Sequence, residues 1–273
     1  MRSSRTVVET PDFSVRVVAC GERGPGWGAP EEGGADALVL VHRGMFRVRA
    51  GGRPLTADPT MGYVQAPGLD YSFAHPAGGD VCTVIAVAGH LWHTAGDVPA
   101  AGPVAVDGRV ELAHRLLLRS DRDAADPAER LVRTLAAAGV RRPPRAAGDR
   151  TGLARRAREA IVAGDPDSAD LVRLSRLLDV SPAHLSRVFR RQVGMTVSRY
   201  RNRVRASRAL RRLEEGETDL GVLAADLGFA DQSHLTRVLR AEIGLPPGRL
   251  RALLAGIPES GRHSRELEIV GES

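Results

Sequence analysis

His184 to Met195 reads HLSRVFRRQVGM, and fifty positions further on His234 to Leu245 reads HLTRVLRAEIGL. His, Leu, Arg, Val, Arg and Gly coincide, and most of the remaining pairs are conservative. Upstream, Leu171 and Leu174 recur as Leu220 and Leu223 at an offset of forty-nine, so the copies differ by one residue in between. Self-similarity at a fixed spacing marks a duplicated supersecondary unit.

Each copy has the parts of a helix-turn-helix. In the first, Leu171, Leu174 and Leu178 form the apolar face of a short helix, Asp179-Val180 makes the turn, and Ser181-Pro182 starts the next helix. A serine at the N-cap accepts a hydrogen bond from free backbone N–H groups, and proline suits the first helical position because it needs no donor there. Leu185, Val188 and Phe189 then point inward, leaving Ala183, Ser186, Arg187 and Arg190 on or beside the face that would meet base edges in a major groove. His184 either packs on the turn or joins that face. In the second copy Leu220, Leu223, Ala224 and Leu227 precede a turn at Gly228-Phe229, and the outward set is Gln232, Ser233, His234, Arg237 and Arg240. Arginine at such a position can reach guanine O6 and N7 with two hydrogen bonds. Between the copies the spacing predicts one long helix from Val197 to Leu213, with Tyr200, Val204, Ala209 and Leu213 inward. Arg199, Arg201, Arg203, Arg205 and Arg208 are expected on its solvated sides, a minority touching phosphate.

The motifs Leu185-Ser-Arg-Val-Phe-Arg-Arg with Gly194, Arg201-Asn-Arg-Val-Arg with Ala209 and Leu213, and Leu227-Gly-Phe-Ala-Asp-Gln-Ser-His-Leu with Gly244 and Pro246 resemble the AraC/XylS transcriptional regulators. Leu235 and Leu239 stand where that family usually has aromatics, and Asp179 where a turn glycine is common. The resemblance implies double-stranded DNA as partner, RNA polymerase as a second partner if the protein is an activator, and a homodimer as a possible assembly.

The chain has 273 residues and a formal charge of +6, long enough for two domains with their own cores. It contains no lysine. Residues 1–150 hold 18 Arg against 17 acidic residues and residues 151–273 hold 21 against 16, so the basic excess lies where phosphates would need it. Only Cys20 and Cys82 are present, the N-terminus lacks the apolar run of a signal peptide, and no apolar stretch reaches membrane-spanning length. A cytoplasmic location with no membrane partner is expected.

Residues 5–105 hold short Val-, Leu- and Thr-rich runs between Gly, Pro and Asp clusters, which predicts a small β-sandwich or barrel. A tight hairpin is expected around Ala50-Gly51-Gly52. Arg43 to Val87, with the Asp58-Pro59 corner and His75-Pro76 through Cys82, resembles the cupin-like barrel that precedes the DNA-binding part in many members of the family. Leu112 and Leu116, then Leu131 and Leu135, mark two short helices that would dock on the barrel or pair two subunits. The expected fold is α+β in two domains: a small cupin-like β-barrel with helices and an all-α tandem helix-turn-helix. Its parts are a ligand-binding or regulatory β domain at 1–105, a helical segment and linker at 106–150 suited to dimerisation, a DNA-binding domain at 151–256 and a flexible tail at 257–273.

Cupin metalloenzymes need closely spaced histidines with a carboxylate, and residues 40–95 contain no His-x-His followed by Glu. Catalysis is therefore not expected. Cys20, His75 and Cys82, joined by His42 or Asp80, are instead a candidate metal or thiol-sensing site, since soft S and N ligands suit zinc, Cu(I) or a redox signal. Against this, a buried strand cysteine ordinarily behaves as a small hydrophobe. His90 and His93 flank Trp92 and are expected to face solvent. The reading is a sequence-specific DNA-binding regulator responding to a small molecule, metal or redox signal, with a constitutive DNA-binding protein whose barrel only dimerises as the first alternative and a cupin-type metalloenzyme as the second.

Overall fold

The computed structural model describes residues 2–21, 24, 26–76, 78–89, 101–118 and 152–255. The second short helix expected at Leu131 and Leu135, the 141–150 linker, His90, His93 and the 257–273 tail lie outside the described residues.

The N-terminal half is built of strands β1 (Arg2–Glu9), β2 (Phe13–Cys20), β3 (Glu31–Glu32), β4 (Ala37–Arg43), β5 (Phe46–Ala50), β6 (Arg53–Ala57), β7 (Met61–Gln65), β8 (Asp70–Ala74), β9 (Asp80–Val87) and β10 (Gly102–Ala105). They form two antiparallel sheets, ordered β1-β2-β9-β4-β7-β10 and β3-β8-β5-β6. The sheets face one another without closing into a continuous ladder, so the barrel is an open one. β4 reads Ala-Leu-Val-Leu-Val, apolar on both faces, and both faces are used. Leu38 and Leu40 join Val15, Val64, Ile85 and Val104 in one core, while Val39 and Val41 join Phe46, Val48, Tyr63, Tyr71 and Cys82 between the sheets. A strand covered on both sides loses the alternation of a half-exposed one. Burying Leu38, Leu40 and Ile85, each almost inaccessible, contributes about 1.5–3 kcal/mol apiece. The β5–β6 hairpin turns through Gly51 and Gly52 at φ 51° and 80°, the doubly left-handed turn that only such residues allow without strain.

Helix α1 (Gly108–Leu118) starts where the Asp107 carboxylate accepts from the amides of Arg109 (2.9 Å) and Val110 (3.0 Å). Val110 and Leu117 pack into the sheet core, whereas Leu112 and Leu116 pack against the C-terminal helices. The helix thus docks on the barrel as expected, through Val110 and Leu117, while the two leucines that marked it in the sequence face the C-terminal helices. A helix with apolar residues on two faces has two partners, and periodicity alone reports only that it is buried.

The C-terminal half runs α2 (Leu153–Ala163), a 3-10 turn (Pro166–Ser168), α3 (Leu171–Leu177), α4 (Pro182–Val193), α5 (Val197–Glu214), α6 (Leu220–Asp226), α7 (Gln232–Ile243) and α8 (Pro247–Ala255). Leu153, Ile161, Leu174, Leu185, Phe189, Tyr200 and Val204 make one core, and Ala209, Leu210, Leu213, Leu223, Phe229, Leu235, Leu239 and Leu250 the other. α5 supplies its first half to one and its second half to the other. It begins at Thr196, whose hydroxyl accepts from the Arg199 amide (3.2 Å), and the recognition helices before and after it stop at Gly194 and Gly244, with φ 81° and 92°. No described helix is long and apolar enough to cross a membrane.

Candidate nucleic-acid interface

The two turns are built alike from different residues. Asp179 turns at φ 55°, the one non-glycine with positive φ among the described residues, and Gly228 does the same work at φ 71°. A short polar side chain is among the few that accept this backbone region. Ser181 Oγ then accepts from the His184 amide (3.2 Å) with Pro182 at the first helical position, and Asp231 Oδ1 accepts from the His234 amide (2.7 Å). These caps orient α4 and α7, whose inward residues are Leu185, Phe189 and Val193, and Leu235, Val238, Leu239 and Ile243.

On the opposite faces Ala183, His184, Arg187 and Arg190 of α4, and Gln232, Ser233, Arg237 and Arg240 of α7, are exposed, with Ser186 half-buried. His234 is also half-buried. Its Nδ1 accepts from the Ala230 amide (3.3 Å), and its ring stands edge-on to Phe229 at 5.4 Å, so it clamps the turn with one side of the imidazole. His184 is the exposed member of the pair.

The arginines divide sharply. Among the described residues Arg187, Arg190, Arg237 and Arg240 pair with no carboxylate; Arg187 donates only to the Ala183 carbonyl of its own helix, at 3.4 Å. The linker helix is different: Arg199 is exposed as expected, but for the other four the sequence expectation of solvated sides is corrected. Arg203 is buried beside Glu111 (2.7 Å), a charge pair without hydrogen-bond alignment. Arg208 donates to the Val162 carbonyl (2.8 Å), Arg201 donates to the Ala169 carbonyl, and Arg205 lies over the Phe229 ring. These guanidiniums hold the two units together rather than coating a surface.

Two buried ionic groups tie the β half to this domain, and sequence reasoning missed both. Asp58, fully buried, was read only as a corner residue. Its Oδ1 accepts from the amide and hydroxyl of Thr60 (both 2.7 Å), and its Oδ2 accepts from Arg158 Nε (2.8 Å) and from the Tyr200 hydroxyl (2.5 Å). Burial opposes the charge on Arg158, but Asp58 and Tyr200 beside it outweigh that and raise its pKa. Glu111 of α1 accepts from the Ser207 hydroxyl (2.6 Å) and from Arg115 (2.9 Å), and Arg115 reaches on to Glu214 (2.6 Å). Burial pushes the Glu111 carboxyl up, yet Arg203 and Arg115 overcome this and hold it at about 2. Nothing local distinguishes a turn aspartate that faces solvent from one capped by an arginine a hundred residues away.

The candidate thiol site is also rearranged. Cys20, His75 and Asp80 come together with ligand atoms within 4.8 Å of one another, on neighbouring strands β2 and β9 and the loop before β9. Cys82 lines the same cavity without joining the cluster, and burial, then Asp80, pushes its thiol up to about 12. His42 points to the opposite side of its sheet, 2.5 Å from Thr83 Oγ1 and against the His114 ring. Burial, then Arg115, holds His42 down at about 4. Strand alternation puts His42 on the face of Leu40 and Thr83, opposite that of Val41 and its strand partner Cys82. Within the cluster His75 is engaged on both ring nitrogens, Nδ1 2.6 Å from Asp80 Oδ1 and Nε2 3.5 Å from Cys20 Sγ.

Two capped recognition helices with exposed arginines that meet no carboxylate among the described residues, fixed on one shared helix, define a tandem helix-turn-helix DNA-binding domain. Residues 174–252 match the family model described as a helix-turn-helix domain. The chain is 33% identical over 82 residues to the HTH-type transcriptional regulator Rv1931c of Mycobacterium tuberculosis, covering 30% of this chain and 32% of that protein. It is 36% identical over 67 residues to the HTH-type transcriptional activator RhaR of Klebsiella pneumoniae, 24% of each chain, and 30% identical over 83 residues to the arabinose operon regulatory protein of Escherichia coli, 30% of this chain and 28% of that one. The similarity thus spans about a third or less of these relatives. The C-terminal region of this chain is an AraC/XylS-type DNA-binding domain.

Proposed function

We propose that the protein is a cytoplasmic transcriptional regulator that reads an asymmetric double-stranded DNA site with α4 and α7 and whose β domain senses a signal. The observation that carries the DNA reading is the division of the arginines: Arg201, Arg203, Arg205 and Arg208 of the linker helix are engaged by internal partners, while Arg187, Arg190, Arg237 and Arg240 stand exposed and unmatched by carboxylates among the described residues. Ala183, His184, Ser186 and Arg187 with Arg190 form one reading face, and Gln232, Ser233, His234, Arg237 and Arg240 the other. Phosphate contacts supply affinity and base contacts supply preference, so unlike neighbours around the shared arginines make the two half-sites unlike. In this reading residues 1–105 are the regulatory unit, 106–150 the connector and 151–256 the DNA-binding unit. RNA polymerase is the further partner if the protein activates, as the name of RhaR says of that relative.

Support for regulation comes from the buried Asp58 and Glu111 groups. A shift in the β domain cannot leave Arg158, Tyr200 or Arg203 unaffected, because a buried charge must keep its partner. Selection from a random DNA pool with the full chain tests the proposal. The expected product is one asymmetric site with two unlike half-sites about 10 base pairs apart. Failure to enrich any sequence overturns DNA readout, and an affinity for the selected site that no cell-extract small molecule alters overturns the sensing role in favour of a constitutive binder.

A further inference from the structure

Between the two sheets lies a cavity of about 330 Å³, within the size range of small-molecule sites. Its walls are largely apolar and aromatic, with Val39, Phe46, Tyr63, Tyr71 and Phe73 among them, and Cys20, His75 and Asp80 lie together on one side. Cys20 Sγ is 3.5 Å from His75 Nε2, and His75 Nδ1 is 2.6 Å from Asp80 Oδ1. An ionised carboxylate only accepts, so Nδ1 carries the ring proton and Nε2 presents its lone pair to the thiol. Nucleophile, base and orienting carboxylate stand in the relation that activates a thiol, with the carboxylate buried at 3% exposure and held in place by its strand.

We propose that Cys20 captures a small carbon electrophile, an α,β-unsaturated carbonyl compound, inside this cavity. The proposal rests on the reading of the β domain as a sensor and names the chemical class it senses. The Cys20 S–H proton passes to His75 Nε2, and the thiolate adds to the β-carbon to form the C–S bond. The displaced π pair makes an enolate, which takes the proton back from Nε2–H at its α-carbon. Nothing leaves and no oxidant is needed. Asp80 faces the imidazolium while it exists, and Arg2, which lines the same cavity and is paired with Glu31 (3.0 Å), is a cation that would have to share its charge with the enolate oxygen. Cys82 shares the cavity but not the histidine, and serves as an internal control. The adduct has a route to the DNA-binding half: Phe46 lines the cavity and pairs across the hairpin with Ala57, the residue before Asp58.

Incubation of the full chain with 2-cyclohexen-1-one, followed by intact-mass and peptide mass spectrometry, tests this. One adduct is expected, on Cys20, formed at least tenfold faster than on Cys82. His75→Gln should slow it at least tenfold and Asp80→Asn several-fold, with the wild-type rate keeping a plateau toward neutral pH that His75→Gln abolishes. Thermal melts identify any variant that fails to fold, and the wild-type ratio of Cys20 to Cys82 labelling stands without variants. Equal labelling of both cysteines, a rate indifferent to a folded His75→Gln, or stoichiometric Zn²⁺ binding that needs Cys20 and His75 and blocks labelling would each overturn the capture site. DNA affinity of the adduct is read separately. A change of several-fold supports sensing by capture, whereas a Cys20 adduct that leaves affinity unchanged keeps the chemistry and overturns the sensor reading.

Discussion

Arg203 and Arg237 look alike in sequence, basic positions on amphipathic helices of a chain without lysine, and their surroundings make them opposites. Arg203 is buried against Glu111 from a helix ninety residues upstream. Arg237 is exposed and pairs with no carboxylate among the described residues. Removing Arg237 should therefore change recognition and leave the fold intact. Arg237→Ala is expected to weaken binding to the selected site about ten- to hundredfold, matching the ~1–3 kcal/mol of a two-hydrogen-bond base contact, and to weaken binding to random DNA much less. Titrations on both DNAs across a salt series check it, and equal losses would assign Arg237 to phosphate. The outward residues of α4 and α7 were legible because capping and apolar spacing set the phase of a helix. The role of Arg203 was not, because a polar residue reads as solvated until its partner is known.

At the scale of elements, α1 joins what the sequence kept apart. Its first residue, Gly108, lies so close to α7 that a methyl group there would meet the Glu242 carbonyl oxygen at 2.2 Å. Backbone cannot yield as a flexible side chain can. Gly108→Ala is expected to loosen α1 from the end of the second recognition helix, lowering the melting temperature by several degrees, the shift that ~1–2 kcal/mol gives in a chain of this size. It should also raise amide exchange in α1 and at Glu242 and Ile243 while leaving α3 and α4 protected; an unchanged melt with unchanged exchange would contradict the docking. The α5 rod, by contrast, was readable end to end, since Tyr200, Val204, Ala209 and Leu213 hold a helical phase across eighteen residues. What periodicity could not tell is that its two halves serve two cores.

For the whole molecule, pH is the natural probe, because buried charges join the halves. Glu111 is held at about 2, below its ordinary 4.5, so its stabilising contribution is complete above about pH 4.5 and is lost as pH falls toward 2. The gap corresponds to about 3 kcal/mol as an upper figure. His42, held neutral down to about 4 where a free imidazole protonates near 6.5, acts earlier and in the same direction: the unfolded chain takes up its proton first, so stability falls from pH 6.5 to 4. His114, packed on the His42 ring and held down by burial, acts in the same sense, so denaturant melts should show stability declining in two stages, with Glu111→Gln flattening the lower stage and the double change His42→Gln/His114→Gln the upper. A flat profile between pH 7 and 3 would contradict both assignments.

The sequence alone determined the tandem helix-turn-helix, its capped turns, the long helix between them and the strand-rich N-terminal half, because these depend on periods, caps and glycines that act over a few residues. It also brought Cys20, His75 and Cys82 into one hypothesis, with His42 or Asp80 as a further member. Only the tertiary structure put Asp80 beside Cys20 and His75 and His42 on the other face, since strand register and alternation set which side chains share a face. Only it decided that Asp58 and Glu111 reach into the DNA-binding half. A buried ion pair between residues a hundred positions apart leaves no periodic trace in either segment; its energy exists only once folding has removed both charges from water.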